Sequence, residues 1–279
     1  MPKKHRVPQS ELLAIAKAIA SRDHHKAQEL CRSLGHSSKR GTWRYHGQRF
    51  ADWLDDTSAK PSGQYFVKGN SKLPFYKFSA LPIVTCPGAG QCAKWCYSLK
   101  AWRYPSAFFA QARNTVLLLE QSPHLTKAFE KLPKGVPLRL YVDGDFDSIT
   151  TLDYWFTLLR SRPDLKAYGY SKSFALLASY KGQWPDNYRL NLSSGASSPA
   201  SEAVKALPIT RGRFLALQIP GHLAGQYDSK EYKLAVRTAA KEQGIKGFVC
   251  PGKCGTCTKH GHACGLDSFK GLDILIGIH

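Results

Sequence analysis

The stretch VPLRLYVDGDFDS, residues 136–148, joins an apolar run that predicts a strand to a loop of alternating aspartates. A helical pattern follows at residues 150–162. The same order of strand, loop and helix recurs from residue 81 onward. Further strands are predicted at 81–85, 166–170, 188–192, 213–219 and 247–250, and further helices at 106–121, 173–180, 199–206 and 229–243. Alternation at this spacing predicts right-handed βαβ units with parallel strands.

Seven of the eight cysteines fall in two clusters. The first cluster is Cys86, Cys92 and Cys96, within CPGAGQCAKWC, and the second cluster is Cys250, Cys254, Cys257 and Cys264, which begins with CPGKCGTC. In a chain whose first residues predict an amphipathic helix rather than an export signal, such spacings favour metal over disulfides. Four thiolates can close a metal site, whereas three leave one coordination position open. Cys31 lies in a helical pattern and is interpreted as a small core residue.

We therefore predict an α/β fold, namely an incomplete (β/α)6-type barrel with parallel strands, preceded by a small basic helical N-terminal region. An open sheet has the same periodicity and is the alternative. The predicted units are the basic helical region at 1–60, a linker and lead-in at 61–80, the partial barrel with the first cluster at 81–249, and the second cluster with a C-terminal strand at 250–279. That last strand, 274–278, is expected at a sheet edge. Because barrel sites are built from loops at the carboxyl ends of strands, the polar residues that follow the strands should share one face.

The open coordination position of the first cluster has a direct chemical interpretation. Three cysteines can hold three irons of a [4Fe-4S] cluster and leave the fourth iron free to bind water, a substrate or a cofactor. Zinc held by the three cysteines plus a histidine, and no metal, are the alternatives. The second cluster is compatible with a second [4Fe-4S] cluster or with zinc, in a structural or electron-relay role. His260 and His262 could replace a cysteine there, although a His-Gly-His segment in a glycine-rich loop is expected to be exposed.

Four segments resemble a family of phage and plasmid proteins, the gene product 88 family: TCPGAGQCAKWCYS, RLYVDGDFDS, AYGYSKS and CPGKCGTC, within residues 70–265. The cysteines after the first predicted strand, with Trp95 and the Gly144-Asp145 pair, also resemble radical SAM enzymes, and this resemblance implies that S-adenosylmethionine (SAM) binds the free iron. The Cx5Cx3C spacing departs from the commonest pattern of that superfamily, CxxxCxxC. The resemblances imply a mobile-element context and a radical-SAM-like barrel in which Gly144 and Asp145 meet the amino group of SAM.

Polar residues after the strands supply the remaining candidates. The predicted catalytic residues are Asp143, Asp145 and Lys172, and the predicted cofactor-binding residues are Gly144, Asp145, Ser193 and Ser194. Three interpretations of the aspartates, Asp147 included, stay open: contact with SAM or substrate, capping of the following helix, and binding of Mg²⁺ for phosphodiester cleavage. The Lys172 ammonium could meet a carboxylate or phosphate, or it could be a solvated loop lysine.

The charge of the chain indicates a polyanionic partner. Forty Lys and Arg against twenty Asp and Glu give a net charge of +20, which is typical of proteins that contact phosphate backbones. Residues 37–50 interleave cations with aromatic rings as single-strand binders do. The predicted nucleic-acid contacts are Lys39, Arg40, Trp43, Arg44 and Arg49; the alternative is a solvated turn leading into a helix at 48–55. No apolar run approaches the roughly 20 residues of a spanning helix, so we expect no membrane partner and a cytoplasmic location.

Together these features predict a mobile-element-encoded iron-sulfur protein with a radical-SAM-like barrel that binds nucleic acid, with modification of that nucleic acid as its candidate reaction. One alternative is a replication-associated or regulatory DNA-binding protein in which zinc or iron-sulfur sites only brace the fold. Another is a metal-dependent DNA nickase. The sequence contains no HUH motif with a partnered tyrosine, which argues against this alternative.

Overall fold

The computed structural model describes residues 7–259 and 261–278. Those residues form a mixed α/β structure around one open, mostly parallel sheet of eight strands. The strands are β1 (Val67–Lys68), β2 (Tyr76–Lys77), β3 (Pro137–Leu140), β4 (Lys166–Ser171), β5 (Tyr188–Ser193), β6 (Thr210–Leu217), β7 (Gly247–Val249) and β8 (Asp273–Gly277). Their spatial order is β1-β2-β3-β4-β5-β6-β8-β7. β1 pairs with β2 in the antiparallel direction, and every other pair is parallel.

The helices are α1 (Gln9–Ala20), α2 (His24–Ser33), α3 (Trp43–Leu54), α4 (Pro105–Leu119), α5 (Pro123–Glu130), α6 (Ile149–Ser161), α7 (Phe174–Ser179), α8 (Glu202–Lys205) and α9 (Lys230–Glu242). Short polar side chains start several of them, because a side-chain oxygen satisfies the free N–H groups of a first turn. Ser148 forms a capping box with Thr151 at α6. Thr42 caps α3, which therefore begins five residues before the predicted position. α5 was not predicted.

The parallel βαβ arrangement predicted from the sequence is confirmed, but the predicted strand at 81–85 is wrong. That segment is a turn, and β2 takes the place of the strand. Pro82 offers no backbone N–H to a ladder, and Ile83 has a positive φ of 71° that no strand accommodates. The Thr85 hydroxyl then donates to the Leu81 carbonyl at 2.7 Å and closes the turn.

The C-terminal strand is also placed differently from its prediction. β8 lies between β6 and β7 instead of at an edge. Ile274 and Leu275 are 1% exposed each, and their strand pairs with a neighbour on both sides. A strand buried in this way gains ladder bonds along both edges, and β7 becomes the outer strand.

One face of the sheet packs against helices to form the main core. Aromatic and aliphatic side chains fill this layer, with Trp155 of α6 in contact with the rings of Phe66, Phe78 and Phe129. A second group of buried side chains joins α1, α2 and α3 to α4, where Trp43 and Phe50 pack on Phe109. The helices at 9–54 therefore share a core with α4.

The other face of the sheet turns towards the second cluster. Because side chains alternate along a strand, Leu138 and Leu140 of β3 enter the helical core while Arg139 points to the opposite side. On that side Tyr168 and Ile274 pack with Cys264 and neighbouring cysteines of the second cluster. Within the described ranges, no helix is both long and apolar enough to cross a membrane.

Candidate metal centre

Both cysteine clusters line one cavity of about 370 Å³, although they lie at opposite ends of the sheet-forming sequence. Alternate side chains of the strands supply its floor, among them Arg139, Tyr168, Tyr170 and Phe214. Loops that follow the strands supply its walls. The cavity therefore sits where the carboxyl ends of parallel strands meet, the usual position of a site in such sheets.

Glycines hold the first cluster against the loops after β4 and β5. A Cβ at Gly88 would collide with the Lys172 carbonyl, and one at Gly90 would collide with the Ala196 carbonyl. The backbone N–H groups of Gly90 and Cys92 both donate to the Gly195 carbonyl at 3.1 Å. The CPGAGQC sequence thus provides the close backbone approach that brings these cysteines to the cavity.

Cys86 lines the cavity together with Asp145 and Lys172, whose charges act on its thiol. Burial, followed by the negative charge of Asp145, raises its pKa to about 12, while the Lys172 ammonium acts in the opposite direction. A free thiol at this position is neutral near pH 7. A thiolate there needs a bound cation to stabilise it.

The four thiols of the second cluster are close enough to influence one another. Burial raises the pKa of Cys250 to about 12, and the charges of the other three cysteines add to the effect. The backbone N–H of Ala263 donates to Cys257 Sγ at 3.3 Å. Asn191 Nδ2 donates to the Cys264 carbonyl at 2.9 Å. This segment is therefore tied to the sheet face by side-chain and backbone bonds.

The chemistry of this donor set fits a thiolate-bound metal. All seven cysteines are free thiols, and soft sulfur donors supported by backbone N–H groups are what zinc and iron-sulfur clusters take. Within residues 7–259 and 261–278, no three Cys, His, Asp or Glu side chains are arranged to hold one metal ion as they stand.

The sequence matches the family described as Gene product 88 over residues 52–265. The chain belongs to the gene product 88 family. The matched region contains both clusters and every strand except β8, and it leaves out α1 and α2. No curated protein and no solved structure matches the chain.

In this gene product 88 chain, three predicted site residues meet beside Cys86. Asp145 is 4% exposed and accepts hydrogen bonds from the backbone N–H groups of Lys172 at 2.7 Å and Phe146 at 2.8 Å. Its pKa is raised by burial. Lys172 Nζ donates to Ser193 Oγ at 2.9 Å. The side chains of Asp145, Lys172 and Ser193 line the cavity together with Gly144. These residues form one polar wall beside the first cluster.

The other predicted polar residues have partners away from that wall. Asp143 Oδ2 accepts from Gln111 Nε2 at 3.0 Å, and Asp147 Oδ1 accepts from the Thr151 hydroxyl at 2.7 Å. The aspartates therefore do not converge on one point, and Ser148 caps α6 in their place. Ser194 Oγ accepts from the backbone N–H of Ala216 at 2.8 Å, so it braces β6 and is not a cavity residue.

Several residues of the cavity were missed from the sequence. Arg139 could have been identified from the sequence. A cation inside the apolar run LRLYV indicates a strand with one face outside the hydrophobic core. Tyr168 and Tyr170 gave no comparable signal. His262 was expected to be exposed, but it is 8% exposed and packs between the rings of Phe75 and Tyr168. Burial lowers its pKa to about 4. His260 lies outside the described residues.

The predicted nucleic-acid contacts divide into two groups. Lys39 and Arg40 are exposed just before α3, and Arg44 and Arg49 are exposed within it. Trp43 is 7% exposed and packs on Phe108 and Phe109, so its ring has no free face for a base and the prediction is corrected at this position. Cys31 is fully buried, which confirms it as a core residue.

Proposed function

We propose that this gene product 88 protein is a mobile-element-encoded iron-sulfur protein whose open sheet is an incomplete (β/α)6 barrel of radical-SAM type. The observation that carries the proposal is the convergence of both clusters on one cavity that also contains Asp145, Lys172 and Ser193. Six neighbouring parallel strands, β2 to β6 and β8, support the barrel assignment.

In this proposal the first cluster holds a [4Fe-4S] cluster through Cys86, Cys92 and Cys96. A cluster with SAM on its free iron supplies a carbon-centred radical on reduction. The polar wall gives this chain its own part in binding. The Lys172 ammonium, held by Ser193, is positioned for a carboxylate, and Asp145, fixed by two backbone N–H groups, is positioned for an amino group.

The second cluster completes the cavity with a second thiolate metal centre, either [4Fe-4S] or zinc. Its cysteines are tied to β5 through Asn191 and to the turn between β1 and β2 through the Lys72 carbonyl, which suits a structural or electron-relay role. Free thiols and thiolate metal centres persist in reducing compartments, so we place the protein in the cytoplasm.

The nucleic-acid part of the proposal depends on charge. A net charge of +20 favours a polyanionic partner, and four exposed cations within α3 and just before it offer a contact surface: Lys39, Arg40, Arg44 and Arg49. Nucleic acid is then the substrate class, or it is the scaffold on which the protein acts.

Metal analysis of anaerobically purified protein tests the proposal. We expect a brown protein with iron and sulfide, and 5'-deoxyadenosine on addition of dithionite and SAM. A colourless protein with stoichiometric zinc would remove the radical chemistry. A brown protein that neither consumes SAM nor changes its spectrum with SAM would leave the iron-sulfur centres as structural elements of a nucleic-acid-binding protein.

A further inference from the structure

Arg139 is a cation with no ion-pair partner in the described part of the chain. It lies on the cavity floor, with its guanidinium carbon 4.7 Å from the centre of the Tyr170 ring. Its Nε atom is buried and has no hydrogen-bond partner among the described residues. None of the ion pairs formed by those residues includes Arg139. Cys254 lines the same cavity.

A second cation, Arg211, is buried behind Cys264. Arg211 is 1% exposed, and all four of its acceptors are neutral oxygens: Asn191 Oδ1 at 2.6 Å and the carbonyls of Phe269, Leu272 and Arg213 at 2.9, 2.7 and 3.3 Å. Asn191 also donates to the Cys264 carbonyl at 2.9 Å, so it connects the two residues. Asp273, on the neighbouring strand, is paired with Arg213.

Burial of a guanidinium group without a carboxylate partner costs free energy unless another anion balances its charge. Both arginines are in this position. Within residues 7–259 and 261–278, no ion pair includes either guanidinium group, and the carboxylate of Asp273 is paired with Arg213. A divalent zinc ion held by four thiolates carries a net charge of about −2, and so does an oxidised [4Fe-4S] cluster with four thiolates. Two arginines match that charge.

We propose that Cys250, Cys254, Cys257 and Cys264 bind one metal centre as thiolates, and that Arg139 and Arg211 supply the positive charge that balances it. This inference rests on the proposed function for the presence of metal at the second cluster, and adds the residues that stabilise it. The arginines do not ligate the metal. Their positive charge stabilises the loaded centre and slows the release of the ion.

The test uses Arg139→Met in the full chain, because Arg211 also binds backbone carbonyls and its removal would disturb the fold. The substitution is made in the natural sequence and in a Cys254→Ala/Cys257→Ala background. In the natural sequence we expect metal release to a chelator to accelerate about tenfold, since groups around a metal site contribute that much to affinity. We also expect a lower Tm. In the cysteine-depleted background the same substitution should raise Tm, because it removes an unbalanced cation from the cavity floor.

Arg113→Met is the control for an arginine outside the cavity. Arg113 also lies over a tyrosine ring, at 5.5 Å from Tyr65, and has a buried Nε without a hydrogen-bond partner. Unlike Arg139, its guanidinium donates to the carbonyls of Ser62 and Gln64. This substitution should lower Tm in both backgrounds and leave metal release unchanged. Arg139→Lys, which keeps the charge, should retain most of the metal and separates charge from fold.

The outcomes separate two questions: whether the second cluster binds metal, and whether Arg139 balances the charge of that metal centre. If Cys254→Ala/Cys257→Ala removes no metal from the protein, the second cluster binds none and the proposed function fails at this site. If it removes metal, but Arg139→Met changes Tm in the same direction in both backgrounds or leaves metal release unchanged, the charge-balance proposal alone is overturned. Faster release with opposite Tm shifts supports it.

Discussion

The backbone N–H of Cys92 donates a hydrogen bond to the carbonyl of Gly195 at 3.1 Å and fastens the first cluster to the loop that follows β5. Gly195 has a φ of +78°, and a Cβ on it would lie 3.0 Å from Cys92 Cβ and 3.2 Å from Trp95. The position of the first cluster therefore depends on a glycine about a hundred residues away.

Gly195→Ala should displace the first cluster. An alanine at positive φ costs about 1–2 kcal/mol from backbone strain alone, and here the new methyl group also pushes on Cys92. We expect iron bound by the first cluster to fall by at least half, measured as iron per chain after anaerobic purification.

Gly135→Ala separates strain from displacement. Gly135 also has a positive φ, 73°, but nothing lies within 4 Å of its missing Cβ. It should lose a similar amount of stability in urea denaturation and keep its iron. Equal iron loss in both variants would show that the Gly195 contact does not position the cluster.

Replacing single cysteines tests the assignment of the first cluster. Cys92→Ala removes one of three proposed ligands, so we expect the loss of the spectral response to SAM together with most of the iron at that site. Cys31→Ala removes a buried thiol in the helical core and should cost about 1 kcal/mol of stability, with iron and SAM response unchanged. A Cys92→Ala protein that still responds to SAM would contradict the ligand assignment.

The fold was largely predictable because its pattern is local. Apolar runs of strand length alternate with helical periodicity from β3 to α9, and parallel pairing follows from the crossover connections. Two errors have non-local or conformational causes. The segment 81–85 has strand composition but turns at Ile83, and β8 inserts between β6 and β7, a pairing that no local pattern encodes.

Only those parts of the candidate site in which the spacing of residues indicates a particular chemistry could be predicted from the sequence. Cysteine spacing identified both clusters, and the Asp-Gly-Asp loop after a strand identified Asp145. Tyr168 and Tyr170 were missed because alternation identifies the two faces of a strand without showing what covers each face. Trp43 was misplaced for the opposite reason: it lies in a basic, aromatic segment, yet α4 covers its ring.

The polar wall predicts a specific effect of Lys172→Met. In the proposed function this ammonium meets a carboxylate, and a charge-assisted hydrogen bond of this kind contributes about 1.5–3 kcal/mol. We therefore expect SAM affinity to fall roughly 10- to 100-fold while iron content stays constant, measured by titrating the cluster spectrum with SAM.

Lys181→Met is the control for charge alone, because Lys181 is exposed and outside the cavity. It should leave SAM affinity unchanged. If Lys172→Met binds SAM as the natural sequence does, the Lys172–Ser193 pair is a structural bond between β4 and β5 and takes no part in binding.

The proposed nucleic-acid surface predicts that position matters as well as charge. Replacing Lys39, Arg40, Arg44 and Arg49 together by Ala should weaken binding. It should also reduce the salt slope of log K by about 0.9 for each duplex phosphate that the protein no longer neutralises.

The comparison is a second set of four exposed cations replaced by Ala, which removes the same charge elsewhere: Lys230, Arg237, Lys241 and Lys246. Filter binding of a single-stranded and a duplex oligonucleotide at several salt concentrations measures both. A contact surface at α3 requires a larger fall in affinity and slope from the first set, because direct phosphate contacts release counterions while distant charges only shift the overall field. Equal effects from the two sets would mean that binding depends on the net charge of the chain and that residues near the start of α3 form no dedicated interface.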